Sequence, residues 1–198
     1  MATAGMTDPR PTFGAIVLAG GNARRLGGFS KGDVEINGTT MLTSVTDACQ
    51  KAGVPADDIV VVGHAETELK RTVEDPPFSG PVAGIGAGLD HVDADRLFVL
   101  SCDIPFIASG LPRLIDTYQG EGVCFGGEKA QYLAGLYSSD ALRNRIGLLQ
   151  QEERGLIGMP VRKLMESLDV TILGEHEAAR DLDTWEAVNE AREQASED

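Results

Sequence analysis

The chain has 198 residues and a formal net charge of −14, from 17 Lys and Arg against 31 Asp and Glu. That length suits one α/β domain with a sizeable core, and so acidic a chain argues against duplex nucleic acid or an anionic membrane surface as a partner. No apolar run approaches a bilayer-spanning length, and three cysteines without a C-x-x-C pair (Cys49, Cys102, Cys124) argue against a disulfide framework or zinc knuckle and fit a reducing cytoplasm.

The first eleven residues, Met1 to Pro11, are polar and lack the apolar stretch of a signal peptide. They are expected to form a mobile tail ahead of a single domain over 12–198. Phe13 to Leu18 is a short apolar run that reads as a buried strand. It leads into Leu18-Ala19-Gly20-Gly21-Asn22-Ala23-Arg24-Arg25-Leu26-Gly27-Gly28-Phe29-Ser30-Lys31. Glycines in a turn after a first strand let backbone N–H groups approach an anion, because no Cβ intervenes. Arg25 and Lys31 add positive charge beside that turn, so the stretch has what a nucleotide's phosphates require. It is not the G-x-G-x-x-G dinucleotide fingerprint, and Gly32 after Lys31 rules out a Walker A loop.

Val34 to Ile36 with the Asn37-Gly38 turn reads as a short edge excursion. Thr39 or Thr40 can cap a helix from about Met41 to Lys51, which Gly53-Val54-Pro55 ends. Ile59 to Val62 is an unbroken β-branched run, hence a second buried parallel strand, and a short helix over Glu66 to Arg71 is expected after it. Val73 to Ile85 is dominated by Pro and Gly, which predicts a rigid loop and then a helix to about His91.

Leu97 to Leu100 is a third buried strand, running into Ser101-Cys102-Asp103-Ile104-Pro105. Ligands of open α/β sheets collect beyond the carboxyl ends of the strands, so Asp103 stands where a metal-binding carboxylate should be. Ser109 to Tyr118 predicts a helix, Val123 to Phe125 a strand, and Gly126 to Lys129 a turn into the strand Tyr132 to Tyr137. Helices over Asp140 to Leu149 and Pro160 to Leu168, a strand over Val170 to Leu173 and a closing helix over Trp185 to Gln194 complete the chain.

LAGG-x-x-x-R-x-G-G-x-x-K, over Leu18 to Lys31, resembles the signature of nucleotidyltransferases of the molybdenum cofactor guanylyltransferase (MobA) type. The short gap between Arg25 and Lys31 separates it from sugar-phosphate nucleotidyltransferases, and Gly20 separates it from the LAAG of cofactor cytidylyltransferases. Gly80-Pro81-Val82-Ala83-Gly84, Asp103-Ile104-Pro105 and Asp183-Thr184 follow in the family's order, with Trp185 where a proline is usual. The resemblance runs from Phe13 to the final helix. It implies a three-layer α/β/α, Rossmann-like, mainly parallel nucleotidyltransferase fold of the nucleotide-diphospho-sugar transferase-like kind.

The activity the resemblance implies is transfer of GMP from GTP to the terminal phosphate of molybdopterin or its molybdenum form, with release of pyrophosphate. It further implies Arg25, Lys31 and Asp103 as catalytic residues, with magnesium on Asp103. Leu18, Ala19, Gly20, Lys31, Asp75 and Asp103 are implied nucleotide contacts, and Gly28, Gly84, Arg154 and Asp183 second-substrate contacts. Molybdoenzymes or cofactor-handling proteins are implied partners. At Gly63-His64, where some members use asparagine on the nucleotide, the contact stays unassigned. The residues also accommodate a cytidylyltransferase or phospholactate guanylyltransferase of the same fold, or a non-catalytic nucleotide-binding adaptor. The substrates are polyanions, so the site must be locally positive through Arg24, Arg25, Lys31, backbone amides and metal.

Overall fold

The computed structural model describes residues 10–20, 30–152 and 155–195. Strand β1 (Phe13–Ala19) lies inside a seven-stranded sheet, third from one edge. β4 (Ile59–Gly63) and β6 (Arg96–Ser101) flank it in parallel, and β5 (Lys70–Thr72) extends β4. Beyond β6 the order continues with β8 (Ala130–Ser138), β7 (Gly122–Gly126) and β9 (Val170–Ile172). Only β8 runs against its neighbours. The sheet is therefore mainly parallel, as the β-branched runs predict.

Alternation along β1 builds the two outer layers, because successive side chains point to opposite faces. Ala15, Val17 and Ala19 join Ile59, Val61, Phe98 and Leu100 beneath α1 (Met41–Lys51) and α3 (Leu111–Asp116). Ile16 and Leu18 join Val60, Val62, Leu97 and Val99 beneath α2 (Pro81–Leu89) and α4 (Ser139–Glu152). Each fully buried aliphatic residue in these layers contributes about 1.5–3 kcal/mol. Gly88 brings α2 down onto β1, since a Cβ there would lie 2.7 Å from Ile16 Cγ2.

A third, smaller core forms where α6 (Trp185–Ala195) packs on the two-residue strands β2 (Glu35–Ile36) and β3 (Thr39–Thr40). Asn37 and Gly38, both at positive φ, make the tight turn between those strands. Thr40 is the cap of α1, its hydroxyl accepting from the Thr43 N–H at 3.1 Å.

Three predicted elements differ. The expected helix over Glu66 to Arg71 is absent; Lys70–Thr72 is instead an edge strand paired with Val60–Val62. Glu66 and Lys70 have helical spacing, but the outer edge of β4 needs backbone partners and takes precedence. The helix expected over Ser109 to Tyr118 is reduced to α3 after a 3-10 turn at Ile107–Ser109. The one expected over Pro160 to Leu168 is reduced to α5 (Val161–Met165), with Pro160 just ahead of it in extended conformation. Of the expected N-terminal tail, Met1 to Pro9 lie outside the described residues.

Candidate active site

The carboxyl ends of β1, β4 and β6 open onto one cleft of about 440 Å³, bordered by Leu18, Gly20, Val62, Ser101, Cys102 and Asp103. The amino end of α2 closes its near side with Gly80, Pro81 and Gly84. The backbones of β1 and β4 come together tightly here. Gly63, at φ +142°, would place a Cβ 2.6 Å from the Ala19 carbonyl carbon, so only glycine fits.

Lys31 reaches this cleft from a 3-10 turn, Lys31–Asp33, seated on the core through the buried Gly32. A Cβ on Gly32 would stand 3.1 Å from Ala65 Cβ and 3.4 Å from Leu42 Cβ. The Lys31 ammonium donates to Asp103 Oδ2 at 2.7 Å and to Asp183 Oδ1. Asp103 follows β6 directly and its side chain is only 10% exposed. Asp183 arrives from the far end of the chain, just after Leu182. The Leu182 side chain is fully buried against α6, and its N–H donates to the Asp103 carbonyl at 2.8 Å.

The electrostatics follow from this packing. Partial burial disfavours charge on Lys31, yet hydrogen bonds and charge from Asp103 and Asp183 outweigh it and push the ammonium up to about 12. Lys31 is therefore cationic throughout the working pH range. Burial, then the charges of Asp183 and Asp103, hold Asp181 above the usual aspartate range. Burial pushes the Cys102 thiol, at the cleft wall, up to about 12, so it offers no nucleophile.

Asp103 and Asp183 converge on one cation, and paired hard oxygen donors suit magnesium. Among the described residues no group of three or more His, Cys, Asp or Glu is arranged to hold a metal.

Of the residues expected at the nucleotide, Leu18, Gly20, Lys31 and Asp103 line the cleft, and Ala19 is the buried last residue of β1. Gly84, expected as a second-substrate contact, lines the cleft beside Leu18 and Val62, where the first turn of α2 docks on β1 and β4. Glu74 lines the cleft and is half-buried; Asp75 is exposed and lines a separate groove along α2 and α4. Asp183, expected near the second substrate, shares Lys31 with Asp103. Arg24, Arg25, Gly28 and Arg154 lie outside the described residues. Sequence reasoning missed Glu74 and Phe78 as cleft residues. The Pro-rich loop that holds both is visible in the sequence, but which way it faces is not.

A three-layer sheet with a cation-bearing cleft at the carboxyl ends of its parallel strands defines a nucleotide-handling α/β protein. Residues 15–172 match the model of the MobA-like NTP transferase domain. The chain belongs to that family of nucleotidyltransferases.

Similar proteins agree. A molybdenum cofactor guanylyltransferase from Shewanella baltica (strain OS155) is 35% identical over 115 residues, 54% of this chain and 57% of that protein. The match thus spans little more than half the length of that relative. A protein of the same name from Shewanella sp. (strain MR-4) is 30% identical over 152 residues, 71% of this chain and 76% of its own length. The solved structure of molybdopterin-guanine dinucleotide biosynthesis protein A from Archaeoglobus fulgidus superimposes with a TM-score of 0.69 at 18% identity, over 93% of this chain and 99% of that one. At that identity the superposition speaks for the fold.

Proposed function

We propose that this chain transfers GMP from GTP to the terminal phosphate of molybdopterin or its molybdenum form, releasing pyrophosphate. The observation that carries the reading is the Asp103–Lys31–Asp183 arrangement, with Lys31 and Asp103 on a cleft that Leu18, Val62, Phe78 and Pro81 also line. Phosphates belong beside the charged residues and a planar base beside the apolar ones. The names of the curated relatives supply the guanine and the pterin.

An acceptor phosphate oxygen attacks the α-phosphorus in line, the α–β P–O bond breaks, and pyrophosphate leaves. This needs no protein nucleophile; it needs positioning and charge compensation. Lys31 keeps its charge and offsets negative charge on the phosphates. Arg25, outside the described residues, is assigned the same duty toward the leaving group. Asp103 and Asp183 would hold magnesium, which when bound neutralises charge on the phosphate oxygens. Backbone groups of Leu18, Ala19 and Gly20 orient the nucleoside. Glu74, on the cleft wall, supplies a carboxylate acceptor that matches the N1–H and N2–H₂ donors of guanine.

Calorimetric titration with GTP, CTP and ATP in the presence of magnesium tests the reading, together with pyrophosphate release when pterin is added. Selective GTP binding that Lys31→Ala weakens, and turnover that Asp103→Ala lowers by two or more orders of magnitude, are the expected results. A preference for CTP would move the chain to cytidylyl transfer. GTP binding with no pyrophosphate release would make it an adaptor. Near-normal turnover by Asp103→Ala would remove the metal assignment.

A further inference from the structure

We propose that Phe78 is the stacking platform for the nucleotide's base, a specificity contact that rests on the nucleotidyl-transfer reading above. Its side chain is 64% exposed, yet it lines the cleft together with Leu18, Val62 and Pro81. A single exposed apolar residue is ordinary on a protein surface. A flat ring held out at the mouth of a nucleotide-sized cleft is not.

The backbone pays attention to this ring. Phe78 sits at φ +65°, in the left-handed region. Among the described residues the other non-glycine there is Asn37, whose side chain tolerates that region in its turn. For phenylalanine the conformation is costly, and such costs persist where the surroundings enforce them, commonly at ligand clamps. The enforcement is visible on the next residue. Ser79 is 2% exposed, its hydroxyl donates to the Pro76 carbonyl, and its own carbonyl accepts from the Gly158 N–H at 2.7 Å. Gly80 then starts the approach to α2. The ring is thus presented by an anchored loop.

His64, just past the end of β4, packs against it, with ring centroids 5.8 Å apart and planes tilted by 45°. That contact braces the phenyl ring. It also accounts for the residue after Gly63, which braces the base platform instead of touching the base. Stacking tolerates any base, because each has a π-face. Phe78 therefore supplies affinity for the base, while choice among bases is left to the edge acceptor Glu74.

The test uses Phe78→Ala, Phe78→Gly and Phe78→Trp in the full chain. Calorimetry should show Phe78→Ala weakening GTP and GDP by about ten-fold, with binding of inorganic tripolyphosphate, which has no base, unchanged. Phe78→Gly should lose the same affinity while its Tm rises by about 2–4 °C, since glycine relieves the left-handed backbone. That pairing excludes misfolding as the cause. In Phe78→Trp, GTP should quench the new indole, whereas wild type, with Trp185 as its single tryptophan, should show no comparable change. GTP binding by Phe78→Ala within two-fold of wild type would overturn the platform and leave nucleotidyl transfer standing. Equal loss of tripolyphosphate binding would also overturn it, by showing a general structural role. A wild type that binds no nucleotide would overturn both.

Discussion

Single carboxylates in this protein have opposite relations to charge, set by what each one faces. Asp103 and Asp183 face an ammonium and share it, whereas burial first, then the charges of those two carboxylates, hold Asp181 above the usual aspartate range. Asp95 is a third case. Its carboxylate accepts from the Thr12 N–H at 2.8 Å and the Thr12 hydroxyl at 2.9 Å, while its own N–H donates to Thr12 Oγ1 at 2.9 Å. The backbone bond from Thr12 first, then the hydroxyl, holds its pKa below the model-peptide value of 3.8. A depressed folded pKa means that the unfolded chain binds more protons, so the contribution is present above about pH 4 and is lost as pH falls through the folded value. Asp95→Ala should therefore lower the urea midpoint at neutral pH, and the gap from wild type should close as the pH drops below about 4. A gap independent of pH would show that the charged acceptor is not what stabilises this corner.

Helix α6 acts at a distance from the sheet and yet helps place the Asp183 carboxylate that Lys31 binds. Its apolar face, Val188 and Ala191, closes with Leu182, Ile36 and Met41 into the third core. Thr184 Oγ1 accepts from the Ala187 N–H at 3.2 Å, and Arg192 donates to the Glu35 carbonyl at 3.0 and 2.8 Å. Leu182 is the peg of this arrangement, and Asp183 rides on it. Leu182→Ala should cost about 2–4 kcal/mol of stability through the cavity it leaves. At a temperature where the variant stays folded, it should also weaken nucleotide binding, because Asp183 loses its seat. Full affinity in a destabilised Leu182→Ala would separate α6 from the site. The element was predicted from its period, and Asp183 from its resemblance to a family position. The link between them runs through the Leu182 N–H bonded to the Asp103 carbonyl, which no local pattern announces.

At the scale of the whole molecule, a protein of net charge −14 is read as the host of polyanionic substrates. The long-range field repels them, and only short-range cations and amides attract. Raising salt from about 0.01 to about 0.1 M shortens the screening length from about 30 to about 10 Å. That hides the distant carboxylates more than the contacts inside the cleft. The association rate of GTP, followed by stopped flow, should therefore rise over that range. A steep fall would mean that the cleft's own positive potential dominates the approach. No helix among the described residues is long and apolar enough to cross a membrane.

The buried strands and the Asn37-Gly38 turn are legible in the sequence because their causes are local. β-branched runs make buried strands, Asn-Gly makes a tight turn, and glycines admit an anion. Asp103 is legible for the same reason, standing directly beyond a buried strand. Partnership is not local. Lys31 lies 72 residues from Asp103 and 152 from Asp183, and they meet only because β6 pairs with β1 and α6 docks on the β2–β3 hairpin. The same holds for Lys70–Thr72, whose helical charge spacing yields to the unpaired edge of β4, and for Glu74, which enters the cleft while Asp75 lies in the groove outside. Sequence alone determined the buried strands and where charge is needed. Tertiary structure decided which charges face one another, because an ion pair and a strand edge are satisfied by whatever the fold brings within reach.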